Sequence, residues 1–451
     1  MALAVAAPPS GVAGQPPPPG PAPRWDLVSA DPAGAGANGA SRDAAVSADG
    51  RTVVFRSEAN DLVPGAGAGA AAVYTRDLAT RGTRLAGVVW AGNLTHLALH
   101  DAPAVSGDGR VVAFRSVSGA APAGEERLGI FVWEAGGPPS QVDLGPGGAP
   151  PDGLSSAPSL SHDGWLVAFH SWATNLVPGD DNGRPDVFVH DRQAGTTRLV
   201  SRGVGGRPAR GTSMRPWLAG GGGVVVWESD APDVVPGDGN GRVDVFATDL
   251  DTGVVERVSV ATRGGAASRD SHSASVSVDG RFVAFASDAG ELSPSAVAGA
   301  PAVYLRDRRS GTTTLVPVPF DGGVWNGSAD QPAVAPDGCC VAFRSTSRHL
   351  VPGKADDEPE IFVFERRTGV LTRHRPVRAD DAYHTPVSLG RGALAAGARV
   401  IALTTGRALA PVDRNTVEDV YALVVRDLDR RVWLPMAGRD LPGALARAAS
   451  R

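Results

Sequence analysis

The chain has 451 residues, with 43 Lys and Arg against 48 Asp and Glu, and its formal charge of −5 is interspersed along the sequence. Nucleic-acid binding requires a basic stripe or patch, and the sequence has none. No apolar run approaches the roughly 20 residues that cross a bilayer as a helix, and two adjacent cysteines, Cys339-Cys340, frame no disulfide scaffold. The expectation for that pair is two thiols on a strand, one of them facing inward, with a strained vicinal disulfide as the alternative.

The chain opens on a short apolar stretch, Ala2 to Ala7, without a basic lead, and Pro8 to Pro23 are rich in Pro, Gly and Ala. Residues 1–23 are therefore expected to form an extended tail. They are read either as what remains of an export signal plus linker or as the loose end of a cytoplasmic chain.

From there one pattern recurs seven times, 55 to 60 residues apart. Asp49-Gly50 leads to Val53-Val54-Phe55 and Ser57, Asp108-Gly109 to Val112-Ala113-Phe114 and Ser116, and Asp163-Gly164 to Val167-Ala168-Phe169 and Ser171. Gly221-Gly222 is a worn copy leading to Val225-Val226-Trp227 and Ser229. Asp279-Gly280 and Asp337-Gly338 restore the full pattern, and Ile401-Ala402-Leu403 with Thr405 is the most degraded. A fixed period of this size marks a repeat architecture.

Each unit holds four short apolar runs separated by turn chemistry. In the third unit these are Ala157 to Ser161, Leu166 to Ser171, Asp186 to His190 and Thr197 to Ser201, the first pair joined by an Asp-Gly turn suited to positive φ. The second run is apolar at three consecutive positions, which fits a strand covered on both faces. No window has a helical period of apolar residues. The fold class is therefore all-β, a seven-bladed β-propeller of four-stranded antiparallel blades over residues 24–437, followed by a tail over 438–451. Ring closure has two candidates. Arg24 to Ala30 reads like a fourth strand, and so does Arg431 to Pro435.

The line Leu160-Ser161-His162-Asp163-Gly164 through Ser171, then Asn175-Leu176-Val177-Pro178-Gly179, Asp186 to Asp191 and Gly195-Thr196-Thr197, resembles the TolB-like, WD-type class of bacterial β-propeller repeats. The resemblance spans roughly Arg24 to Ala437. It implies a periplasmic, cell-surface or secreted scaffold that binds proteins or ligands, and it tips the reading of the N-terminal tail towards export, with a cytoplasmic location as the alternative. Some propellers of the class are attached to peptidases, and this chain has no room for a domain of that size. The departures are the eroded turn at Gly221-Gly222 and a longer first hairpin in the last unit, around Gly390 to Gly397.

In a propeller the strand 4 to strand 1 crossover delivers its last residues to the central funnel. Aligning the units on Ala44, Pro103, Pro158, Pro216, Ala274, Pro332 and Pro386 makes the funnel candidates Arg42, Asp43, His100, Asp101, Arg215, Asp270, His272, Asp330, Gln331, Tyr383 and His384. The structural reading is a hydrated rim whose polar groups satisfy one another. The functional reading is a pocket for a polar or anionic ligand, a glycan or a peptide end. A His-carboxylate metal centre lacks a close ligand pair to anchor it.

Two strand 2 to strand 3 loops share the form D-x-N-G-x-x-D, through Asp180, Asn182 and Asp186 and through Asp238, Asn240 and Asp244. Two oxygen side chains, a glycine bend and a later carboxylate suit calcium, although the distal Glu of an EF-hand loop is missing. The alternative is a plain Asn-Gly turn with side chains bonded to backbone amides. The acids ending each third strand, from Asp77 to Asp427, and the hydroxyls from Ser57 to Thr405 recur in every unit and are read as structural.

No G-x-S-x-G elbow or other asymmetric motif singles out one blade. The expected function is a non-catalytic, monomeric binding scaffold that engages a protein or polar ligand through the funnel face. The alternative is a propeller hydrolase or lyase acting on polysaccharide, with Asp101, His272, Asp330 and His384 as its candidate groups.

Overall fold

The computed structural model describes residues 24–64, 71–88, 102–118, 127–294, 296, 299–316, 319, 327–354, 356–375, 387–415 and 417–425. These form seven sheets of four antiparallel strands. Blade 3 runs Ser155–Leu160, Leu166–Ser171, Asp186–Asp191 and Thr196–Leu199, from the innermost strand outwards. Blade 4 repeats it with Ser213–Leu218, Val224–Ser229, Asp244–Asp249 and Val255–Arg257. The ring closes through the N-terminal strand. Arg24–Leu27 pairs with Asp419–Val424 as the outermost strand of blade 7, behind Val400–Thr405 and Val387–Ser388. The rival candidate, Arg431 to Pro435, lies outside the described residues.

The V-A-F triplet explains how the blades stack. Side chains alternate across a strand, so the first and third residues face the preceding blade and the middle residue faces the next. Phe169 packs with Ala113 of blade 2, while Ala168 packs with Trp227 of blade 4. The pattern continues with Val226 and Phe285, Ala284 and Phe343, and Ala342 and Leu403. It returns to the start through Ala402 and Phe55 and through Val54 and Phe114. A small or narrow residue thus receives each large one, and the apolar core is divided among the seven interfaces between blades. Within six blades the aromatic of strand two also stacks on one of strand three, as Phe169 does on Phe188 at 5.8 Å between ring centres.

A belt of backbone bonds joins the turns between strands one and two. Asp49 N–H donates to Gly107 O, Gly107 to His162 O, His162 to Gly220 O, Gly221 to Val278 O and Val278 to Pro336 O, at 2.8 to 3.2 Å. Blade 7 completes it, with Ala396 N–H donating to Ala48 O and Gly397 N–H to Asp337 Oδ2. Gly107 is required here because a Cβ on it would stand 1.2 Å from the His162 ring.

The recurring polar residues have local tasks. Ser161 Oγ donates to Asp163 Oδ1 and accepts from Leu166 N, which fixes the Asp-Gly turn. Asp191 Oδ1 accepts two amides of the following turn, from Gln193 and Ala194. Ser171 bonds Ser155 Oγ and accepts from Ala173 N. The cysteines correct the sequence reading. Cys339 and Cys340 are joined as a vicinal disulfide. Cys339 ends the turn and only Cys340 belongs to the strand, so the strand's up-and-down alternation does not separate the two sulfurs.

Candidate functional site

The innermost strands start at one end of the ring, and there the backbone is distorted in the same way in five blades. The register slips between the second and fifth residues of the strand in blades 1, 3, 4, 5 and 6. The third residue is left-handed each time, at Asp43 (φ 58°), Ala157 (52°), Arg215 (51°), Ser273 (58°) and Gln331 (52°). Left-handed backbone costs a residue with a Cβ about 1–2 kcal/mol. Glycine would avoid that cost, yet side chains are kept at all five positions.

The described funnel residues gather at this mouth, some bonded within their own blade and others to the neighbouring one. Arg42 forms an ion pair with Glu418 of blade 7. Asp43 stands 4.0 Å from Arg56. Arg215 Nη1 reaches Glu228 Oε2 at 3.4 Å, and buried Glu228 accepts the Ser273 amide of blade 5 at 2.7 Å. His272 Nδ1 meets Ser273 Oγ at 3.1 Å. Asp330 takes a two-pronged contact from Arg344 at 2.8 and 2.5 Å, and Arg344 also donates to Val387 O of blade 7. Gln331 Oε1 accepts from Leu389 N at 2.8 Å. Asp270 accepts the Val243 amide. His100, Asp101, Tyr383 and His384 lie outside the described residues.

Sequence reasoning missed the plug of the channel. The long hairpin of blade 7 carries Arg391 across the axis, where Nη1 donates to Arg215 O at 2.7 Å and the guanidinium lies 5.3 Å from the Trp217 ring centre. Beneath it a small chamber of about 80 Å³ is lined by all seven blades, with Trp217 and His162 among its walls. Burial holds the His162 pKa below its ordinary value despite the nearby acids. A second miss is Trp172, 46% exposed on the mouth side of blade 3 beside Leu154, which is 37% exposed. The two are tied by Trp172 N–H to Leu154 O at 2.9 Å, and the Trp172 ring is 5.1 Å from that of His170. Its signal was an aromatic directly after the recurring serine.

The loops between strands two and three open on the same face. Asn182 behaves as a turn former: Oδ1 accepts from Arg184 N, and Nδ2 donates to Asp186 Oδ2 and Ala209 O. Asn240 does the same with Arg242 N, Asp244 and Ala267 O. Asp186 and Asp180 are buried, and burial raises their pKa values to about 7 and about 6. In blade 4, Arg257 stands 2.9 Å from Asp238 and 3.7 Å from Asp244. A third copy went unnoticed in the sequence. Asp413, Asn415 and Asp419 keep the spacing, with Thr416 in place of the glycine, and Asn415 Nδ2 donates to Ala37 O.

No family model matches the sequence, and no curated protein does. Solved structures match. One is the β-propeller domain of the Trilobed protease from Pyrococcus furiosus, with a TM-score of 0.51 at 10% identity over 87% of this chain and 97% of that one. An oligogalacturonate lyase from Vibrio parahaemolyticus gives 0.50 at 11% identity, over 90% and 98%. A putative TolB from Agrobacterium tumefaciens gives 0.40 at 16% identity, over 68% and 89%. The fold they share is the β-propeller, here with seven four-stranded blades. At such identities the likeness concerns fold alone, and function must be argued from the site.

Proposed function

We propose that this TolB-like propeller is a non-catalytic, monomeric binding platform, working outside the cytoplasm, that engages a protein or a polar ligand such as a glycan at the mouth of the ring. The observation that carries the reading is the exposed Trp172–Leu154 pair standing on the face that also holds Arg42 and Arg215, whose side chains are 45% and 56% exposed. Exposed Trp and Arg on a rigid scaffold are the residue types that dominate binding energy in interfaces. The Arg391–Trp217 plug gives that face a floor. The rim acids are engaged by neighbouring groups of the fold, so Asp330, held within blade 6 by Arg344 at 2.8 and 2.5 Å, serves structure in the first place. The extracytoplasmic location rests on the repeat resemblance. Among the described residues no helix is long and apolar enough to cross a membrane.

The test is a thermal-shift screen of the full chain against oligosaccharides and peptides, with Trp172→Ala and Arg215→Ala variants alongside. A binder raises the midpoint, by about 2.7 kcal/mol of added stability at 100 times its Kd, and both substitutions remove the shift. Turnover of a polysaccharide that His272→Ala or Asp330→Ala abolishes would replace this reading with the hydrolase or lyase alternative.

A further inference from the structure

Four loops between strands two and three begin on related lines: Leu176 to Asp180, Val234 to Asp238, Leu350 to Lys354 and Leu409 to Asp413. Each is followed six residues later by an acid at the head of strand three: Asp186, Asp244, Glu360 and Asp419. Strand pairing identifies a fourth equivalent position, opposite the central aromatic of strand three. It holds Leu199 in blade 3, Arg257 in blade 4, Arg373 in blade 6 and Leu27 in blade 7.

The blades divide by who supplies the positive charge. In blade 4 Arg257 lies between Asp238 and Asp244, with all three side chains at most 7% exposed. In blade 6 Arg373 grips Glu360 at 2.5 and 2.7 Å, and Lys354, standing where the other loops have an Asp, buries its ammonium against Asp356 O and Thr346 O. Blades 3 and 7 keep both carboxylates but have leucine where the guanidinium would be. Asp180 is 6% exposed, and both of its oxygens are buried without a hydrogen-bond partner. In blade 7 Tyr421 donates its hydroxyl to Asp413, yet Asp413 Oδ1 and Asp419 Oδ2 are buried without partners. Asp181 and Asp152 add negative potential around Asp180, as Asp61 does around Asp419. Arg202, whose charge acts on Asp186, is exposed and donates to Gly206 O. Buried carboxylates left this way are costly, which is why such groups pair or hold a metal.

We infer that a calcium ion occupies in blade 3, between Asp180 and Asp186, and in blade 7, between Asp413 and Asp419, the place that the Arg257 guanidinium fills in blade 4. An all-oxygen, anionic, irregular donor set suits Ca²⁺, which takes six to eight oxygens and completes its shell with carbonyls and water, better than the strictly octahedral Mg²⁺. Asn182 and Asn415 bend the loops and are not ligands, because Asn182 presents Nδ2 to Asp186 Oδ2 and Asn415 presents Nδ2 to Ala37 O. The two ions stiffen the loops on the mouth face, and the inference is independent of what that face binds.

The experiment is calorimetric titration of CaCl₂ into the full chain after EDTA treatment and dialysis. The wild type is expected to take up two ions. Asp180→Asn and Asp413→Asn each reduce the count to one, whereas Asp238→Asn leaves two. Leu199→Arg recreates the blade 4 arrangement. It is expected to remove the blade 3 ion while raising the melting temperature in EDTA, and it covers the case in which Asp180→Asn fails to fold. No heat of binding up to millimolar Ca²⁺, or a count of two that survives both Leu199→Arg and Asp413→Asn, overturns the inference.

Discussion

Ser29 donates its hydroxyl hydrogen to Oδ1 of Asp419 at 2.6 Å, across 390 residues of chain. The same bond joins Ser201 to Asp186 and Ser259 to Asp244 inside single blades, at 2.5 Å in both. The ring is therefore closed by the bond that elsewhere finishes an ordinary blade, with the N-terminal strand taking the place of strand four. Ser29 Oγ also accepts from Val420 N at 2.9 Å. Ser29→Ala leaves a buried acceptor and a buried amide without that partner, and a loss of about 1–3 kcal/mol is expected. Urea unfolding measures it. Limited proteolysis should also release the N-terminal strand faster than in wild type, while Ser201→Ala, internal to blade 3, costs similar stability without that early cut.

The large-on-small packing between blades makes a second expectation. Phe169 fills the space over Ala113 of the preceding blade, so Phe169→Ala opens a cavity and should cost about 3–5 kcal/mol. Ala113→Leu overfills the same interface and should cost about 1–3 kcal/mol. Because the two side chains share one space, Ala113→Leu together with Phe169→Ala should be less damaging than the sum. A double-mutant cycle by chemical denaturation checks the sign, and additivity would refute the packing argument.

The sequence already carried the repeat, the blade number and the turn chemistry, because each depends on residues within a few positions of one another. Asp163 with Ser161 and the V-A-F alternation are of this kind. Features that depend on contacts between distant segments were out of reach. The choice of Arg24–Leu27 as the closing strand rests on pairing with Asp419–Val424. Arg391 reaches Arg215 O across 176 residues. Arg257 filling the gap between Asp238 and Asp244 depends on the register of two strands. The mouth residues Arg42, Arg215, His272, Asp330 and Gln331 were located by alignment, but their pairing partners were not.

Asp143 provides a pH dependence with a definite sign. It is fully buried at the end of the fourth strand of blade 2, and one oxygen lacks a hydrogen-bond partner. Burial raises its pKa from 3.8 to about 6, against the opposing bonds from Ser155 and Gln141. The folded chain thus holds this proton more tightly than the unfolded chain does. The contribution to stability is complete below the unfolded pKa and is lost as pH rises through the folded value. Asp143→Asn removes the titration. The melting temperature of wild type relative to the variant should fall between pH 4 and 7 and level off above that range. A difference that does not vary with pH would show that Asp143 is ionised in the fold.

The plug is tested from the other side of the ring. Contacts that hold Arg391 at the axis include the bond to Arg215 O and the Trp217 face. Such a half-exposed cation–π contact contributes about 0.5–1 kcal/mol, so Arg391→Ala should lower stability only slightly. Its larger effect should be on access, because the guanidinium covers an indole that borders the 80 Å³ chamber. Acrylamide quenching of tryptophan fluorescence should rise in Arg391→Ala, and the increase should vanish in a Trp217→Phe background, which isolates this residue among the nine tryptophans. Arg391→Lys keeps the charge but not the flat fork that combines stacking with a directed N–H bond. It should fall between wild type and alanine. Equal quenching in all three would mean that the side chain of residue 391 does not cover the channel in solution.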